Sequence, residues 1–497
     1  MEVIASFVPC NASQVATELA NPPAGATTVE LRADLLDPEA DLAPLQAACP
    51  LPVLVTLRST AEGGHGPVDP VARQRFFERA VRWPAALWDV EVARDAELLG
   101  SVVPRERAVV SAHFETTPTD LEDRVRAALS LNSALAKVVP AAHSLADLLA
   151  VLSLNAGLDH GERHRRRAVV FAAGAAGRAT RLLAPLLGAP VAFAAWSVER
   201  AAAPGQYTPA ELLALIGHLS GRPRRLFAVL GRPVGESLSP RLHNTAYRAL
   251  GLPNLMVPIE IANEGELDGL LAPGGETVLD DLGLPAGGFA VTMPCKEAAL
   301  ARCTVVAPRA RRARAVNTVL PRPDKVLGDC TDIDGITGAL RDAGVELRGA
   351  DVLVMGAGAT ARAAVVALDL AGAQVRVGAR NAQAAQALAA ELGVEVANGD
   401  TSRRAAVVVN ATPAGRDGAP DEFLNQLAMP AGAVVVDLPY GAQPTFLEVL
   451  AGERCWHYVS GREVLLYQGI SQFAAHHGVA PPVAAMAQAL GLEEVQG

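Results

Sequence analysis

Eight short apolar runs of β type recur through the first two hundred residues, with helix-length stretches between them: Val3–Val8, Thr28–Arg32, Val53–Arg58, Leu87–Val92, Ala108–His113, Leu135–Val139, Ala168–Ala173 and Val191–Trp196. Runs that stay apolar at successive positions suit parallel strands covered on both faces, because an alternating pattern would be needed if one face met water. Eight such strands alternating with helices over this length predict a compact (β/α)8 barrel of the TIM type. Barrel chemistry gathers at the C-terminal ends of the strands, so polar exceptions there carry the information. Arg32, Arg58, His113 and Lys137 are those exceptions.

At 497 residues the chain exceeds one core, and a second α/β region follows. A helix over Pro209–Leu219 closes the barrel, and the Gly-, Pro- and Arg-containing stretch Ser220–Arg225 reads as a linker. Strands at Leu226–Gly231, Leu255–Ile259, Phe289–Thr292 and Ala315–Leu320, with a helix at Pro240–Leu250, predict one α/β layer. A further strand, Asp351–Gly356, runs into Gly356-Ala357-Gly358-Ala359-Thr360-Ala361 and a helix. This is the context in which glycines let the backbone approach a pyrophosphate at a helix N-terminus. Strands at Gln374–Gly378, Ala406–Val409 and Ala433–Asp437 continue the doubly wound pattern.

Composition excludes some function classes. A net charge of −10 and a pI near 5.6 argue against nucleic acid as a partner, since neutralising phosphates needs a basic surface. The one dense basic run, His160 to Arg167, reads as a solvated loop. Cys10, Cys49, Cys295, Cys303, Cys330 and Cys455 have no paired spacing, so neither a disulfide framework nor a metal site is expected, and a reducing cytoplasm fits. No basic leader or bilayer-length apolar stretch is present, so no membrane association is expected. The sequence does not set the oligomeric state; a homodimer is one option.

Lys137 stands inside the apolar run Leu135-Ala-Lys-Val-Val-Pro140. Apolar walls and neighbouring arginines disfavour an ammonium there and lower its pKa from about 10.4, which makes a nucleophilic amine available. An amine of that kind attacks ketones, and the iminium formed acidifies the adjacent carbon. His113, at the end of the preceding strand, is placed as the base.

These residues resemble the Schiff-base (class I) dehydroquinate dehydratases over positions 1 to about 220. The resemblance rests on Glu30-Leu-Arg32-Ala-Asp34, Arg58-Ser-Thr-Ala-Glu62-Gly-Gly64, Ser111-Ala-His113-Phe114, Ala136-Lys137-Val138 and Ala203-Pro204-Gly205-Gln206. It implies that Lys137 forms the Schiff base and that His113, oriented by Glu62, moves the protons. It also implies that Glu30, Arg32 and Arg58 surround the ring hydroxyls while Arg181 and Gln206 take the carboxylate. The usual Asp after the histidine is missing, which predicts a different aim for the imidazole. Thr180 and Ala202 replace expected serines.

The second half resembles the shikimate dehydrogenases through Ser237-Leu-Ser239-Pro240, Val291-Thr292-Met-Pro294-Cys-Lys296, Ala315-Val-Asn317-Thr318, Thr331-Asp332, Asn410-Ala-Thr412-Pro, Asp437-Leu-Pro-Tyr440 and Gln468-Gly-Ile-Ser-Gln472. The resemblance implies an acid–base pair of Lys296 and Asp332, with Ser237, Ser239, Thr292, Asn317, Tyr440 and Gln468 around the substrate. The dinucleotide falls to Gly356, Ala357, Gly358, Ala359, Thr360 and Arg380, with Asn410, Thr412 and Gly461 beside it. Arg380 stands where an NAD site would carry an acid, so NADP is the expected cofactor. Ala290 and Cys330 replace expected asparagines, and Gln383 replaces a second arginine.

Together these imply a barrel over 1–220, a linker over 221–225, a shikimate-binding domain over 226–332 with 465–497, and a Rossmann-like NADP-binding domain over 333–464. The implied function is dehydration of 3-dehydroquinate to 3-dehydroshikimate followed by reduction to shikimate. Two alternatives stay open: a catabolic quinate or shikimate dehydrogenase fusion, and a metabolite-binding regulator with one inactive half.

Overall fold

The computed structural model describes residues 1–9, 15–37, 40–158, 167–399 and 401–492. The basic run at 160–166 and Cys10 lie outside the described residues. Eight parallel strands form the first sheet: β1 (Glu2–Phe7), β2 (Thr28–Arg32), β3 (Val53–Thr56), β4 (Leu87–Glu91), β5 (Ala108–Phe114), β6 (Leu135–Pro140), β7 (Ala168–Val170) and β8 (Val191–Ala195). Their order, β7-β6-β5-β4-β3-β2-β1-β8, is that of a (β/α)8 barrel, with one departure. β7 and β8 do not pair among the described residues, so the barrel is closed by side chains at that seam, where Phe171 and Phe193 meet at 5.8 Å between ring centroids. β7 is only three residues long, too short to offer a full ladder. Ile4, Leu54, Val109, Leu135, Val169 and Phe193 fill the interior.

The second sheet is mixed, with order β10-β9-β11-β13-β14-β12, from β9 (Arg225–Gly231), β10 (Asn254–Glu260), β11 (Ala286–Val291), β12 (Val305–Val306), β13 (Thr318–Arg322) and β14 (Lys325–Asp329). The third is parallel throughout: β15 (Asp351–Met355), β16 (Gln374–Gly378), β17 (Glu395–Val396), β18 (Val407–Asn410), β19 (Val434–Asp437) and β20 (His457–Ser460). Its order, β17-β16-β15-β18-β19-β20, reverses direction between β15 and β18, and in doubly wound sheets ligands bind at that switch point. The strands β12, β14, β17 and β20 were not expected. β12 and β17 are two residues long, and β14 and β20 are short and interrupted by polar groups, so none makes an apolar run.

Helices Asp332–Asp342 and Gly461–His477 pack together beside the second sheet. The start of the latter is fixed by a capping box, in which the Ser460 hydroxyl accepts from Glu463 N while Glu463 Oε2 accepts from Ser460 N at 2.7 Å. Gly461 follows directly. A Cβ there would stand 2.3 Å from Leu438 O, so only glycine lets the helix begin against the end of β19. Among the described residues no helix is long and apolar enough to cross a membrane.

Candidate active sites

Two cavities hold most of the residues singled out above. The first, of about 230 Å³, opens at the C-terminal end of the barrel and is lined by Glu30, Arg32, Arg58, Glu62, His113, Lys137, Arg181 and Gln206. Lys137 sits deeper than its sequence reading placed it, three residues before the end of β6. Its Nζ donates to Glu30 Oε1 at 3.2 Å, lies 3.8 Å from Asp89 Oδ2, and stands 4.0 Å over the Phe193 ring. Burial pulls this amine below the usual lysine range, against the opposing pull of Glu30 and Asp89, and Arg58 acts with burial. Glu30 is the converse case. Burial alone would raise its carboxyl, but Lys137, Arg32, a Ser6 hydroxyl and Arg58 hold it at about 2.

Arg58 is the hub of the floor: it reaches Asp89 Oδ2 at 3.0 Å, Glu62 Oε2 at 3.0 Å, Ser111 Oγ at 3.1 Å and Glu91 Oε1 at 3.4 Å. The loop carrying it is pinned by Arg73, buried and bidentate to Asp95 at 2.7 and 2.6 Å, whose Nη2 also donates to Leu57 O. Glu62 Oε2 lies 3.1 Å from His113 Nδ1, and Arg94 pairs with the other carboxylate oxygen at 3.0 Å. Burial pushes Glu62 up to about 7, with Glu91 and Asp89 adding to the rise and Arg58 and Arg94 opposing it. His113 is held well below its ordinary range by burial and then by Arg58 and Lys137. The shortened turn after His113 leaves the ring in the cavity. Arg181 stacks on Phe171 at 4.6 Å, and its Nε and Nη1 have no partner among the described residues. Burial brings it down to about 10. A buried guanidinium without a carboxylate is an open seat for an anion. Arg32 is instead bidentate to Asp34 at 2.8 and 2.7 Å, and Thr180 is spent on backbone bonds to Ala172 N and Gly177 O.

The second cavity, of about 200 Å³, is lined by Ser237, Ser239, Thr292, Lys296, Asn317, Asp332, Tyr440 and Gln468, with Thr360 and Gly461 also in its wall. Lys296 Nζ donates to Asp332 Oδ2 at 2.6 Å, and Asn317 Nδ2 holds Oδ1 at 2.7 Å. Burial would lower this lysine, but Asp332 outweighs it and keeps the group above its ordinary value. Asn317 Oδ1 accepts in turn from Thr331 N at 2.7 Å, and Gln468 Nε2 donates to Thr331 Oγ1 at 2.9 Å. Cys330 is fully buried and its thiol is pushed well up by burial, so it serves packing.

Of the residues expected to hold a dinucleotide, Gly356–Thr360 follow β15 and Asn410 and Thr412 stand at the end of β18, at the switch point of the third sheet, whereas Arg380 follows β16 and Gly461 follows β20. Gly356, with φ +124°, directly follows β15 where a Cβ would meet Ala411 O at 3.0 Å, and space is open beside Gly358. Ala357 and Ala359 are half-buried against the core. Arg380 is exposed and paired with Asp421. Asn410 differs from the rest. It is fully buried, donating to Asp437 Oδ1 at 2.7 Å and accepting from the Thr412 hydroxyl at 2.7 Å, so it shapes the loop from inside.

Several residues of these networks carried no role in the sequence reading: Asp89, Glu91 and Ser111 beneath Arg58, and Thr331 and Gln472 behind Asn317, the last donating to Asn317 O at 3.1 Å. A signal existed for the acids, which interrupt the apolar run Leu87-Trp-Asp-Val-Glu91 on its inward face.

A family model for type I 3-dehydroquinase matches residues 5–222, and one for the shikimate dehydrogenase substrate binding domain matches 229–319. The shikimate dehydrogenase (NADP(+)) of Thermus thermophilus is 37% identical over 265 residues, 53% of this chain and 96% of that protein. The pentafunctional AROM polypeptide of Yarrowia lipolytica is 30% identical over 511 residues, covering 95% of this chain and 32% of the relative. The chain thus spans about a third of the length of such relatives. The solved shikimate 5-dehydrogenase of Thermus thermophilus, in complex with NADP(H) and shikimate, is 34% identical and covers 54% of this chain and 98% of its own, with a TM-score of 0.48.

Proposed function

Because the chain belongs to the shikimate dehydrogenase family and carries a type I 3-dehydroquinase region ahead of it, we propose that it dehydrates 3-dehydroquinate to 3-dehydroshikimate and then reduces that product to shikimate with NADPH. One observation carries the reading. Each cavity buries a single lysine, and the two are biased oppositely: Lys137 toward the free amine, Lys296 toward the ammonium. The first suits bonding to a ketone carbon, the second suits giving a proton to a ketone oxygen.

In the barrel, the Lys137 nitrogen adds to the ketone carbon and the carbonyl oxygen leaves as water, giving an iminium. His113 then takes the C2 proton, the C–H electron pair moves toward the iminium carbon, and the neighbouring C1 hydroxyl departs with a proton returned by His113. Hydrolysis frees the amine. Arg181 and Gln206 receive the carboxylate; Glu30 and Arg58 face the ring hydroxyls, and Arg32 contributes from its ion pair with Asp34. An ionised Glu62 accepts from His113 Nδ1–H and leaves Nε2 as the basic nitrogen. Dehydration kcat/KM should therefore fall on the acid side with an apparent pKa near 7, a property of the Glu62–His113 pair, and Glu62→Gln should abolish that limb. A profile from pH 5 to 9 without an acid limb contradicts this role. Stability moves the other way. The folded chain binds this proton more tightly than the unfolded chain, so ionising Glu62 costs stability as pH rises from about 4.5 through about 7.

In the second half, bound NADPH supplies a hydride equivalent. Lys296, held by Asp332, gives a proton at the substrate's ketone oxygen, while Ser237, Ser239, Thr292, Asn317, Tyr440 and Gln468 hold the polyol and its carboxylate. The Gly356–Thr360 turn fits a pyrophosphate at the N-terminus of helix Ala359–Leu370, and Thr360 and Gly461 both line the Lys296 cavity. Arg380, exposed and paired with Asp421, is the residue that would meet a 2′-phosphate. Because Asp421 already engages Arg380, selectivity should be moderate: Arg380→Leu is expected to lower the NADP-to-NAD ratio of kcat/KM by about tenfold. An unchanged ratio removes Arg380 from the site.

We assign residues 1–220 to the dehydratase, 221–225 to the linker, 226–332 with 465–497 to substrate binding and 333–464 to NADP binding. A reducing, cytoplasmic setting suits the free cysteines among the described residues. The function is tested by giving the full chain 3-dehydroquinate with and without NADPH. Shikimate should form with the cofactor, and the reaction should stop at 3-dehydroshikimate without it. Failure to consume 3-dehydroquinate in either case refutes the reading.

A further inference from the structure

A third cavity, of about 650 Å³, lies where the two halves of the chain meet, and neither reaction uses it. Its walls come from both halves of the chain: Arg178 and Tyr207 from the barrel side, Leu238, Arg241 and Arg248 from the second half. Ser237 lines it and lines the Lys296 cavity. On the other side, Arg178 opens the helix Arg178–Leu186 that carries Arg181 one turn later, Tyr207 follows Gln206, and both lie within electrostatic reach of Arg181 in the wall of the Lys137 cavity. The two halves are also joined by one buried cluster running from Leu182, Leu186 and Ile216 to Leu226, Val257 and Ile259, and Leu145 N donates to Glu266 Oε1 at 3.1 Å.

Three arginines meet two carboxylates in this cleft, so its charge is net positive. Glu211 is committed to capping Thr208, whose N donates to it at 2.7 Å, and Glu236 pairs with Arg416 at 2.6 Å. The arginines are less engaged. Arg178 stacks 4.3 Å over the Tyr207 ring, its Nε is buried with no partner among the described residues, and its Nη1 reaches the second half, 3.5 Å from where a Gly235 Cβ would stand. Arg241 is exposed and has no partner among the described residues, and Arg248 makes only a 3.5 Å approach to Ala214 O.

We propose that this cleft is a relay site for the carboxylate of the intermediate: the cyclic keto acid leaving the barrel rests on Arg178, Arg241 and Arg248 before it enters the Lys296 cavity. The proposal rests on the two-reaction reading and involves no bond making. A monoanion leaving past Gln206 meets guanidinium groups where bulk water would otherwise take it. Fork-shaped donors that are partly solvated hold a carboxylate loosely enough to release it.

The test is competition in the full chain. Isotopically labelled 3-dehydroquinate is turned over with NADPH in the presence of an excess of unlabelled 3-dehydroshikimate, and early labelled shikimate is compared with the amount expected if the intermediate mixes with bulk. Each step's own rate is measured on the same sample and enters that expectation. The relay predicts a several-fold excess of labelled shikimate, lost in Arg241→Glu/Arg248→Glu. No excess in the unmodified chain, or an excess that survives the double substitution, overturns it. Failure of either step with its own substrate contradicts the functional reading itself, and the relay with it.

Discussion

Lys137→Met is expected to lower dehydration of 3-dehydroquinate by at least ~10³-fold, because the substitution removes the only atom proposed to bond the substrate. Methionine keeps the length and apolar stem of the side chain against Phe193, so the barrel interior stays filled. Glu30 retains its bonds to the Ser6 and Thr56 hydroxyls and loses one cation. The second half provides an internal control, since Lys137 touches nothing in the other cavity: reduction of 3-dehydroshikimate by the same sample should stay within about twofold. Loss of both activities would indicate unfolding, and melting followed by circular dichroism separates that outcome. A folded variant that still dehydrates at a tenth of the original rate contradicts the covalent role.

The second large effect belongs to Lys296. Lys296→Met should cut turnover of the reductase by about 10²–10⁴-fold, the usual range for a positioned proton donor, with KM for shikimate changed only a few-fold. The split follows from the geometry. Asp332 remains anchored by Asn317 Nδ2, and Asn317 remains anchored by Thr331 and Gln472, so the polar walls that hold the polyol survive. Steady-state kinetics in both directions, with fluorescence titration of shikimate binding, reads both terms. Turnover unchanged, or binding lost along with turnover, would show that Lys296 is not the proton donor.

Much of this was legible in the chain because buried parallel strands write themselves as continuous apolar runs. All eight barrel strands were located that way, and the lysine, histidine and arginines interrupting or ending them converge on one cavity. The periodic signal fails where strands are very short or carry polar groups, as at β17 or at β20 with its His457 and Ser460. It also cannot say that β7 and β8 fail to pair, since the seam depends on how Phe171 and Phe193 pack across space. Site residues divide similarly. Motif spacing pointed to Lys296 and Asp332, thirty-six positions apart, and their Nζ and Oδ2 stand 2.6 Å apart. It could not reveal that Arg32 turns to Asp34 or that Asn410 faces inward, because either residue could equally have faced a ligand. The acids under Arg58 were hidden for a different reason. Asp89 and Glu91 matter through a guanidinium supplied by another strand, and their own run looks like an interrupted strand rather than a site.

Sodium borohydride added to the full chain during turnover of 3-dehydroquinate would reduce an iminium to a stable secondary amine. Peptide mass mapping should then find the substrate-derived mass on Lys137 alone, with dehydration lost in proportion to labelling and reduction of 3-dehydroshikimate retained. No adduct, or an adduct on another lysine, would contradict the claim that the barrel works through a covalent bond at a buried amine.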